Sequence, residues 1–517
     1  MATPSEKLAE SLEVLRDLQD GGVLAVRSRD LTRTHRERLI KNGFLQEVMK
    51  GWYIPSRPGE KAGDSTAWYA SYWGFCAAYL EYRFGTDWSV SPEQSLCLHA
   101  GNLTVPRQLL VRTPKAGNKP TTMPHSTSLF EVRATLPEER DKAEIDGLRV
   151  FSIPAALIAC SPSYFKQNPT DTRVALTTVR DASEVLRPLL AGGRSTIAGR
   201  LAGAFRNVGR DRIADQIVSA MQEAGYKIDE VDPFEELPKF EVPARQPSPY
   251  AHRLQLIWES MRGTVIERFP DAPEIAVNVD TYMKAVEDIY VLDAYHSLSI
   301  ENYRVSPELI ERVRNGSWNP EGEVDDQEGR NALAARGYWQ AFQVVKDSLR
   351  KVLAGENAGH VADDDHRVWY EQLFGPSVTA GIIEAADLAG YRNDQVFIRR
   401  SMHTPPRYEA VIDCMETFFG LLEREEDPSV RIVLGHFFFV YIHPYMDGNG
   451  RIGRFLMNLM LASGGFTWVV IPVEERDGYM SALESASVDQ DIEPFATFLA
   501  RLVNDQMVGE SNIGIPE

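Results

Sequence analysis

The sequence predicts a multidomain, mainly α-helical protein: a small helix-and-hairpin head, a mixed α+β region and an all-helical C-terminal half. The chain has 517 residues, more than one hydrophobic core usually supports, so two or three domains are expected. Short alternating apolar runs occur in the first half, whereas the apolar spacing from about residue 250 is helical nearly to the end.

Residues 1–60 are predicted to form a winged helix-turn-helix. Leucines recur at helical spacing between Ser5 and Gln19, and a second helix opens at Thr32 or Thr34. Residues 44–54 then alternate as two strands around a turn at Lys50. This order of helices followed by a hairpin is typical of winged-helix folds.

The second of these helices carries four cations and a single acid, Glu37. The cations are Arg33, Arg36, Arg38 and Lys41. They favour contact with DNA phosphates or bases. A module for protein docking or dimerisation is equally consistent with these residues. The net charge of the chain is −19, which disfavours extensive contact with nucleic acid. A homodimer is compatible with the sequence.

A mixed α+β region is predicted for residues 61–231. It opens with an aromatic-rich helix, continues through strand-like runs at 109–111 and 148–153, and ends in an arginine-bearing helical stretch at 180–225. Residues 232–249 contain five prolines without a periodic pattern, which predicts a linker. The all-helical domain is expected at 250–505.

The bulk composition favours a cytoplasmic protein. The four cysteines are scattered, with no pair at metal-binding spacing, so reduced thiols are expected. The N-terminus lacks the apolar segment of a signal peptide. No apolar run reaches the roughly 20 residues that span a bilayer, so no membrane contact is expected.

The most informative segment runs from His443 to Arg454 and reads His-Pro-Tyr-Met-Asp-Gly-Asn-Gly-Arg-Ile-Gly-Arg. It is a polar, glycine-dense loop between two apolar helical stretches. Pro444 cannot continue the first helix and biases His443 away from helical geometry. The sequence therefore predicts a buried site into which functional groups point.

The second half of this segment is suited to bind phosphates. Gly448 and Gly450 are expected to turn the backbone so that successive N–H groups face one point. The N-terminus of the following helix adds partial positive charge there. Arg451 and Arg454, three residues apart, lie near each other on that helix and can both grip a polyphosphate.

The first half of the segment supplies a base and a metal ligand. His443 titrates near neutral pH and can take a proton from an attacking hydroxyl. Asp447 is a hard oxygen ligand suited to Mg²⁺ that bridges phosphates. Each group alone has a common structural explanation, but together they indicate transfer at a phosphorus centre.

These residues resemble the signature of the Fic (Fido) family, His-Pro-Phe-x-Asp-Gly-Asn-Gly-Arg-x-x-Arg, with Tyr445 in place of Phe. The resemblance implies transfer of AMP from ATP, with Mg²⁺, to a Ser, Thr or Tyr hydroxyl of a target protein. It implies that His443 is the base and Asp447 the metal ligand. It assigns the phosphates to Gly448, Asn449 and Gly450 (α and β), Arg451 (β) and Arg454 (γ). Self-modification at Tyr445 is a secondary option.

The same resemblance implies regulatory and docking segments. Residues 390–406 are similar to the family's β-hairpin flap, with a strand at Val396, Phe397 and Ile398 that would hold a target segment by main-chain pairing. Ser297-Leu298-Ser299-Ile300-Glu301-Asn302 matches the inhibitory pattern Ser/Thr-x-x-x-Glu-Gly/Asn. Glu301 would then pair with Arg454 and compete with the γ-phosphate.

Weaker assignments concern the surroundings of the loop. Tyr479 corresponds to a tyrosine near the adenine in the family, and Asn458, one turn beyond Arg454, is within reach of the nucleotide. Core packing is an equally good explanation for both. His436 is expected to be a buried structural histidine.

The N-terminal half resembles AbiEi-type antitoxins, chiefly through residues 31–59, with 61–231 as an AbiEi-like region. Three alternatives to AMP transfer from ATP stay open. The domain could use another nucleotide donor, it could remove AMP, or the protein could be a DNA-binding regulator whose Fic half senses ATP.

Overall fold

The computed structural model describes residues 3–58, 64–239, 248–273, 278–317, 326–509 and 513–515. The chain divides into two compact units. The first consists of Met1–Arg253 with Phe397–Thr404, and the second of Leu254–Val396 with Pro405–Glu517. Most described residues are helical, so the predicted mainly α-helical fold class is confirmed.

The first unit begins with the predicted helices and hairpin. The elements are α1 (Pro4–Asp20), β1 (Val26–Arg27), α2 (Arg33–Lys41), β2 (Leu45–Met49) and β3 (Trp52–Pro55). The strands form an antiparallel sheet in the order β1-β3-β2. The side chain of Thr32 caps α2 by accepting from the His35 N–H, since its hydroxyl satisfies a free amide of the first turn. The winged-helix assignment itself stays a prediction.

Three of the four cations of α2 have polar partners inside the first unit. Arg33 Nε donates to Glu37 Oε1 at 2.6 Å. Arg36 donates to the Ser28 carbonyl oxygen at 2.9 Å, and Arg38 donates to the Ser11 hydroxyl at 2.7 Å. Arg33 and Lys41 are exposed. Contact of Arg33, Arg36, Arg38 and Lys41 with DNA stays a prediction.

The remainder of the first unit is mixed α+β. Its strands are β4 (Ser89–Val90), β5 (Gln108–Thr113), β6 (Pro120–Thr122), β7 (Ser128–Arg133), β8 (Lys142–Ile145) and β9 (Leu148–Phe151). Its helices are α3 (Thr66–Phe84), α4 (Pro92–His99), α5 (Ile153–Ala159), α6 (Pro162–Gln167), α7 (Pro169–Thr178), α8 (Ser183–Ala191), α9 (Ser195–Asn207) and α10 (Asp211–Glu223). One sheet has the order β4-β5-β7-β6, in which β5 and β7 are parallel, and β8 pairs with β9.

The first part of the predicted linker is packed into the first unit. Phe234 is buried in a core cluster with Phe165 and Phe205, and the Asn207 amide donates to Asp232 at 3.0 Å. The proline-rich composition of this segment gave no indication that Phe234 would be buried in a core. Residues 240–247 of the predicted linker lie outside the described residues.

The second unit is helical. Its helices are α11 (Pro249–Arg268, whose first residues belong to the first unit), α12 (Val279–Ile300), α13 (Pro307–Arg314), α14 (Asp326–Leu353), α15 (Ala358–Thr379), α16 (Val411–Arg424), α17 (Pro428–Ile442), α18 (Asn449–Ser463), α19 (Arg476–Glu484) and α20 (Glu493–Met507). α17 and α18 are buried on nearly all sides, as apolar residues around the whole circumference require. No helix in the described parts of the chain is long and apolar enough to cross a bilayer.

The predicted hairpin flap is wrong in its local structure. Residues 391–407, all of them described, contain no strand. Side chains take the backbone acceptors that a ladder would need: Arg392 donates to the carbonyl oxygens of Asp394 and Pro406, and Gln395 to those of Val396 and Pro405. Because strand pairing requires free backbone groups, the segment is irregular.

The predicted docking strand is also divided between the two units. Val396 is the last residue before the segment Phe397–Thr404, which belongs to the first unit. In that unit Arg399 forms an ion pair with Asp64 at 3.1 Å, and the Val105 N–H donates to the Met402 carbonyl oxygen at 2.9 Å. The role of Val396, Phe397 and Ile398 in target docking stays a prediction.

Candidate active site

The site is formed by the loop between α17 and α18. α17 ends at Ile442, and His443 then adopts a left-handed conformation with φ of 54°, which is uncommon for a residue other than glycine. Gly448 turns the chain again with φ of 80°, and α18 begins at Asn449. These two left-handed residues turn the backbone, so that the loop lies between the C-terminus of α17 and the N-terminus of α18.

The His443 imidazole is held in one orientation and one tautomer. Its Nδ1 lies 3.1 Å from the Val440 carbonyl oxygen. Since a carbonyl only accepts, Nδ1 carries the proton and Nε2 has the lone pair. Burial lowers the pKa of His443, and the contact with Val440 opposes this only in part. The ring is therefore neutral near pH 7, as a general base requires.

Arg392 braces the loop from the outside and was not identified from the sequence. Its Nε donates to the His443 carbonyl oxygen at 2.8 Å, and its backbone N–H donates to the Pro444 carbonyl oxygen at 2.9 Å. The side chain is buried. A single arginine in a polar segment belongs to no motif with a characteristic spacing. The contact between Arg392 and the loop could therefore be found only from the tertiary structure.

Asn449 braces the loop from within. Its side-chain oxygen accepts from the Tyr445 N–H at 2.9 Å, and its amide donates to the Tyr445 carbonyl oxygen at 2.8 Å. Both residues are buried. These two bonds hold the loop in shape, and contact of Asn449 with phosphates stays a prediction.

Replacement of Asn449 by Asp should destabilise the second unit by about 2 kcal/mol or more. Aspartate keeps the acceptor for the Tyr445 N–H, but it places an oxygen against the Tyr445 carbonyl and buries a charge. Urea unfolding of the full chain measures the loss. Asn315→Ala, at an exposed helix end, is the control and should change stability by less than about 0.5 kcal/mol. Equal stability of the Asn449→Asp and parent proteins would contradict the brace.

Of the two glycines of the loop, only Gly448 has the predicted turning role. Gly448 provides the turn, but Gly450 lies in the first turn of α18 without a positive φ. A Cβ atom on Gly450 would lie 2.3 Å from Glu301 Oε1. A side chain at residue 450 would therefore displace the Glu301 carboxylate, and the predicted role of the Gly448 and Gly450 N–H groups toward phosphates stays a prediction.

Arg454 and Glu301 form the ion pair that the resemblance implied. Arg454 Nη2 donates to Glu301 Oε1 at 2.8 Å, and Arg454 Nε donates to the Ser297 hydroxyl at 2.8 Å. The side chain of Arg454 is 5% exposed and that of Glu301 29%. The guanidinium is thus fixed by α12 on two sides.

The charges of this pair shift each other's titration. Burial raises the pKa of Glu301, but Arg454 and Arg451 together lower it by more, so the net pKa lies below its usual value. Burial lowers the pKa of Arg454, and Glu301 raises it above its usual value. Arg454 Nη1 is buried and has no hydrogen-bond partner among the described residues, so one donor of this cation is left for a ligand.

Arg451 is held differently from Arg454. Its guanidinium carbon lies 5.2 Å from the centre of the Tyr303 ring and 5.1 Å from that of Phe374. Its Nη2 lies 3.4 Å from Asp447 Oδ1, and its buried Nε has no hydrogen-bond partner among the described residues. Both rings thus lie within cation–π distance of the guanidinium without taking an N–H donor, and Nε is left for an anion.

Asp447 fits a Mg²⁺ ion that is shared with phosphates. Its side chain is 68% exposed, and its Oδ1 accepts from the Gly448 N–H at 2.6 Å. No group of three potential metal-binding side chains occurs in the described residues. A single carboxylate is nonetheless sufficient where substrate phosphates complete the coordination of Mg²⁺.

Tyr445 packs in the core, as its aromatic character implies. The ring stacks on Tyr370 with centroids 3.8 Å apart. Its hydroxyl is buried and has no hydrogen-bond partner among the described residues. Burial raises the pKa of Tyr445. A buried hydroxyl cannot reach an attacking position in this arrangement, which speaks against self-modification at Tyr445.

The remaining sequence candidates lie in the core of the second unit. His436 Nε2 lies 2.7 Å from the Tyr479 hydroxyl, both residues are buried, and burial lowers the pKa of His436 to about 4. The Asn458 amide donates to the Val469 carbonyl oxygen at 3.0 Å, and its oxygen accepts from the Val469 N–H at 2.8 Å. Asn458 is thus engaged by the backbone.

Comparison with known families agrees with this geometry. Residues 366–461, which contain α17, the loop and most of α18, match the sequence model of the Fic/DOC family. The chain therefore contains a Fic/DOC domain, and the family resemblance of the motif is confirmed.

The similar proteins of this class are named protein adenylyltransferases. The chain is 40% identical over 223 residues to the protein adenylyltransferase Fic of Nematostella vectensis, covering 42% of this chain and 48% of that protein. It is 32% identical over 223 residues to the protein adenylyltransferase fic-1 of Caenorhabditis elegans, covering 42% and 40%. The match thus spans less than half the length of each relative. A solved structure of residues 134–508 of C. elegans Fic-1 aligns over 68% of this chain and 97% of that chain, with 17% identity and a TM-score of 0.36.

Proposed function

We propose that the second unit transfers AMP from ATP to a hydroxyl group of a target protein. The observation that carries this proposal is Arg454. Its guanidinium is buried beside the N-terminus of α18, one of its donors lacks a partner among the described residues, and the carboxylate of Glu301 occupies another. A buried cation of this kind is a phosphate site held by an internal anion.

The reaction follows from the positions of the loop residues. The target hydroxyl attacks the α-phosphorus of ATP, its proton passes to His443 Nε2, the bond to the β-phosphate oxygen breaks, and pyrophosphate leaves. The helix N-terminus at Gly448 attracts the phosphate oxygens. Arg451 and Arg454 would stabilise the charge that develops on the leaving pyrophosphate.

Mg²⁺ belongs to the proposal through Asp447. The ion would neutralise phosphate charge and orient the leaving group. The exposed carboxylate of Asp447 would hold it, and Arg451, 3.4 Å from that carboxylate, would contact the same phosphates.

The resting enzyme is proposed to be autoinhibited. Glu301 lies where a phosphate on Arg454 would lie, since one guanidinium edge cannot serve both anions. Ser297, in the last turn of α12, and Glu301, the residue that follows this helix, contact the same side chain. Displacement of this helix end would open the site without a change elsewhere in the loop.

Two labels of ATP distinguish AMP transfer from other phosphorus chemistry. The Glu301→Gly protein should add label to a cell lysate from α-labelled ATP and none from γ-labelled ATP, beyond the label that the same lysate incorporates with a protein that also carries His443→Ala. The added mass on modified peptides identifies the donor when other nucleotides are supplied. Label from the γ-position alone, or transfer from every donor except ATP, would contradict the proposal.

The pH profile of transfer should reflect the lowered pKa of His443. The neutral imidazole is the base, so the rate falls as pH falls through that pKa. We expect the half-maximal rate at a pH below about 6.5, the ordinary pKa of a histidine, and a constant rate at higher pH. Initial rates of the Glu301→Gly protein at saturating ATP measure this, with ATP affinity at each pH as the control. A half-maximal rate above about pH 7 would contradict the assignment.

Contact of Arg33, Arg36, Arg38 and Lys41 with DNA, a homodimer and a cytoplasmic location stay predictions from the sequence. Transfer from another donor and removal of AMP are separate outcomes of the labelling experiment.

A further inference from the structure

The chain reverses direction immediately after Glu301. Asn302 has a φ of 67°, its N–H donates to the Ser299 carbonyl oxygen at 2.9 Å, and the Tyr303 N–H donates to the Leu298 carbonyl oxygen at 3.1 Å. These two bonds form a Schellman motif, which requires a residue that tolerates the left-handed conformation. Asparagine does so more readily than most residues. The turn therefore fixes Tyr303 relative to Glu301.

Tyr303 and Glu301 contact different arginines of α18. Glu301 pairs with Arg454 at 2.8 Å, and the Tyr303 ring lies 5.2 Å from the Arg451 guanidinium carbon. Arg451 is buried, with a relative exposure of 1%. The residues of α12 and its turn thus engage both cations, one through charge and the other through an aromatic face.

The two contacts have opposite consequences for an incoming phosphate. A carboxylate takes the N–H donors of a guanidinium and competes with phosphate. An aromatic ring attracts the face of a guanidinium and leaves its edge free. The edge of Arg451 extends toward Asp447 (3.4 Å), where a metal-bound phosphate would lie.

We propose that Tyr303 is a positioning residue for nucleotide binding, whose ring, with that of Phe374, holds Arg451 for the phosphates beyond the α-phosphate. This proposal rests on the proposed function. The turn after α12 then has two roles. Glu301 occupies a donor of Arg454 that ATP would use, while Tyr303 holds Arg451 in the orientation that binds the phosphates. Removal of the Glu301 side chain should therefore activate more than displacement of the whole turn does.

The test compares Tyr303→Leu with Tyr303→Phe in the full-length Glu301→Gly protein. Leucine removes the aromatic face at similar bulk, whereas phenylalanine keeps it. Calorimetry gives the dissociation constants of ATP, ADP and AMP with Mg²⁺ present. We expect Tyr303→Leu to weaken ATP and ADP binding about tenfold, equivalent to about 1.4 kcal/mol. AMP binding should change less than about twofold, because AMP lacks the phosphates that Arg451 would contact, and Tyr303→Phe should restore ATP binding.

Three results would overturn the inference: unchanged ATP binding in Tyr303→Leu, an equal loss for AMP and ATP, or an equal loss in Tyr303→Phe. Equal loss for AMP and ATP would show a general distortion of the site. Labelling from α-labelled ATP is measured on the same proteins. Its absence from the Glu301→Gly protein, with the binding pattern intact, would remove the proposed function but not the positioning role. If the Glu301→Gly protein is labelled but Tyr303→Leu does not weaken ATP and ADP binding selectively, the positioning role is wrong and the proposed function stands.

Discussion

Replacement of Glu301 by Gly should raise AMP transfer by on the order of tenfold to a hundredfold. In the parent protein Arg454 donates to Glu301 and to Ser297, and burial strengthens these charge-assisted bonds. Without the carboxylate, the guanidinium edge is free for phosphate, and a negative charge that would repel ATP is gone. Initial rates with α-labelled ATP measure the change.

Glu301→Gln is the matched control for this experiment. Glutamine keeps the length of the side chain and one acceptor for Arg454 but removes the negative charge, so its rate should lie between those of the parent and the Glu301→Gly protein. Thermal unfolding confirms that all three proteins are folded. If Glu301→Gly transfers no more AMP than the parent, the autoinhibitory role of this residue is wrong.

Replacement of His443 by Ala in the Glu301→Gly protein should lower transfer by about 10²- to 10⁴-fold. The imidazole is the only candidate base among the loop residues of the motif, and its orientation through Val440 presents Nε2 as the acceptor. The loop is held by Arg392 and Asn449 through backbone groups, so its shape should survive the loss of the ring. The labelling rate is the measurement.

ATP binding is the control that separates chemistry from structure in the His443→Ala protein. The phosphate contacts proposed for Arg451 and Arg454 do not involve the imidazole, so the dissociation constant of ATP should stay within about threefold of that of the Glu301→Gly protein. Retention of more than about a tenth of the labelling rate would exclude a general base at this position.

Local patterns were sufficient to predict the two helices on either side of the loop. The apolar stretch before His443 became α17, and the stretch after Gly450 became α18, because burial on all sides demands apolar residues around the circumference. The hairpin around Lys50 formed as alternation predicts. The flap at 390–406 was predicted from family resemblance and lacked a pairing signal of its own. In the structure, Arg392 and Gln395 take its backbone acceptors.

The sequence by itself determined which groups meet at the site, since the proposed base, the proposed metal ligand, the turn and the two cations lie within twelve consecutive residues whose order fixes their proximity. Only the tertiary structure decided how each one is held. Arg451 and Arg454 are equivalent by spacing, yet one lies against aromatic rings and the other against Glu301. Those partners come from α12 and α15, more than seventy residues away along the chain, and packing between distant helices is not encoded in local periodicity.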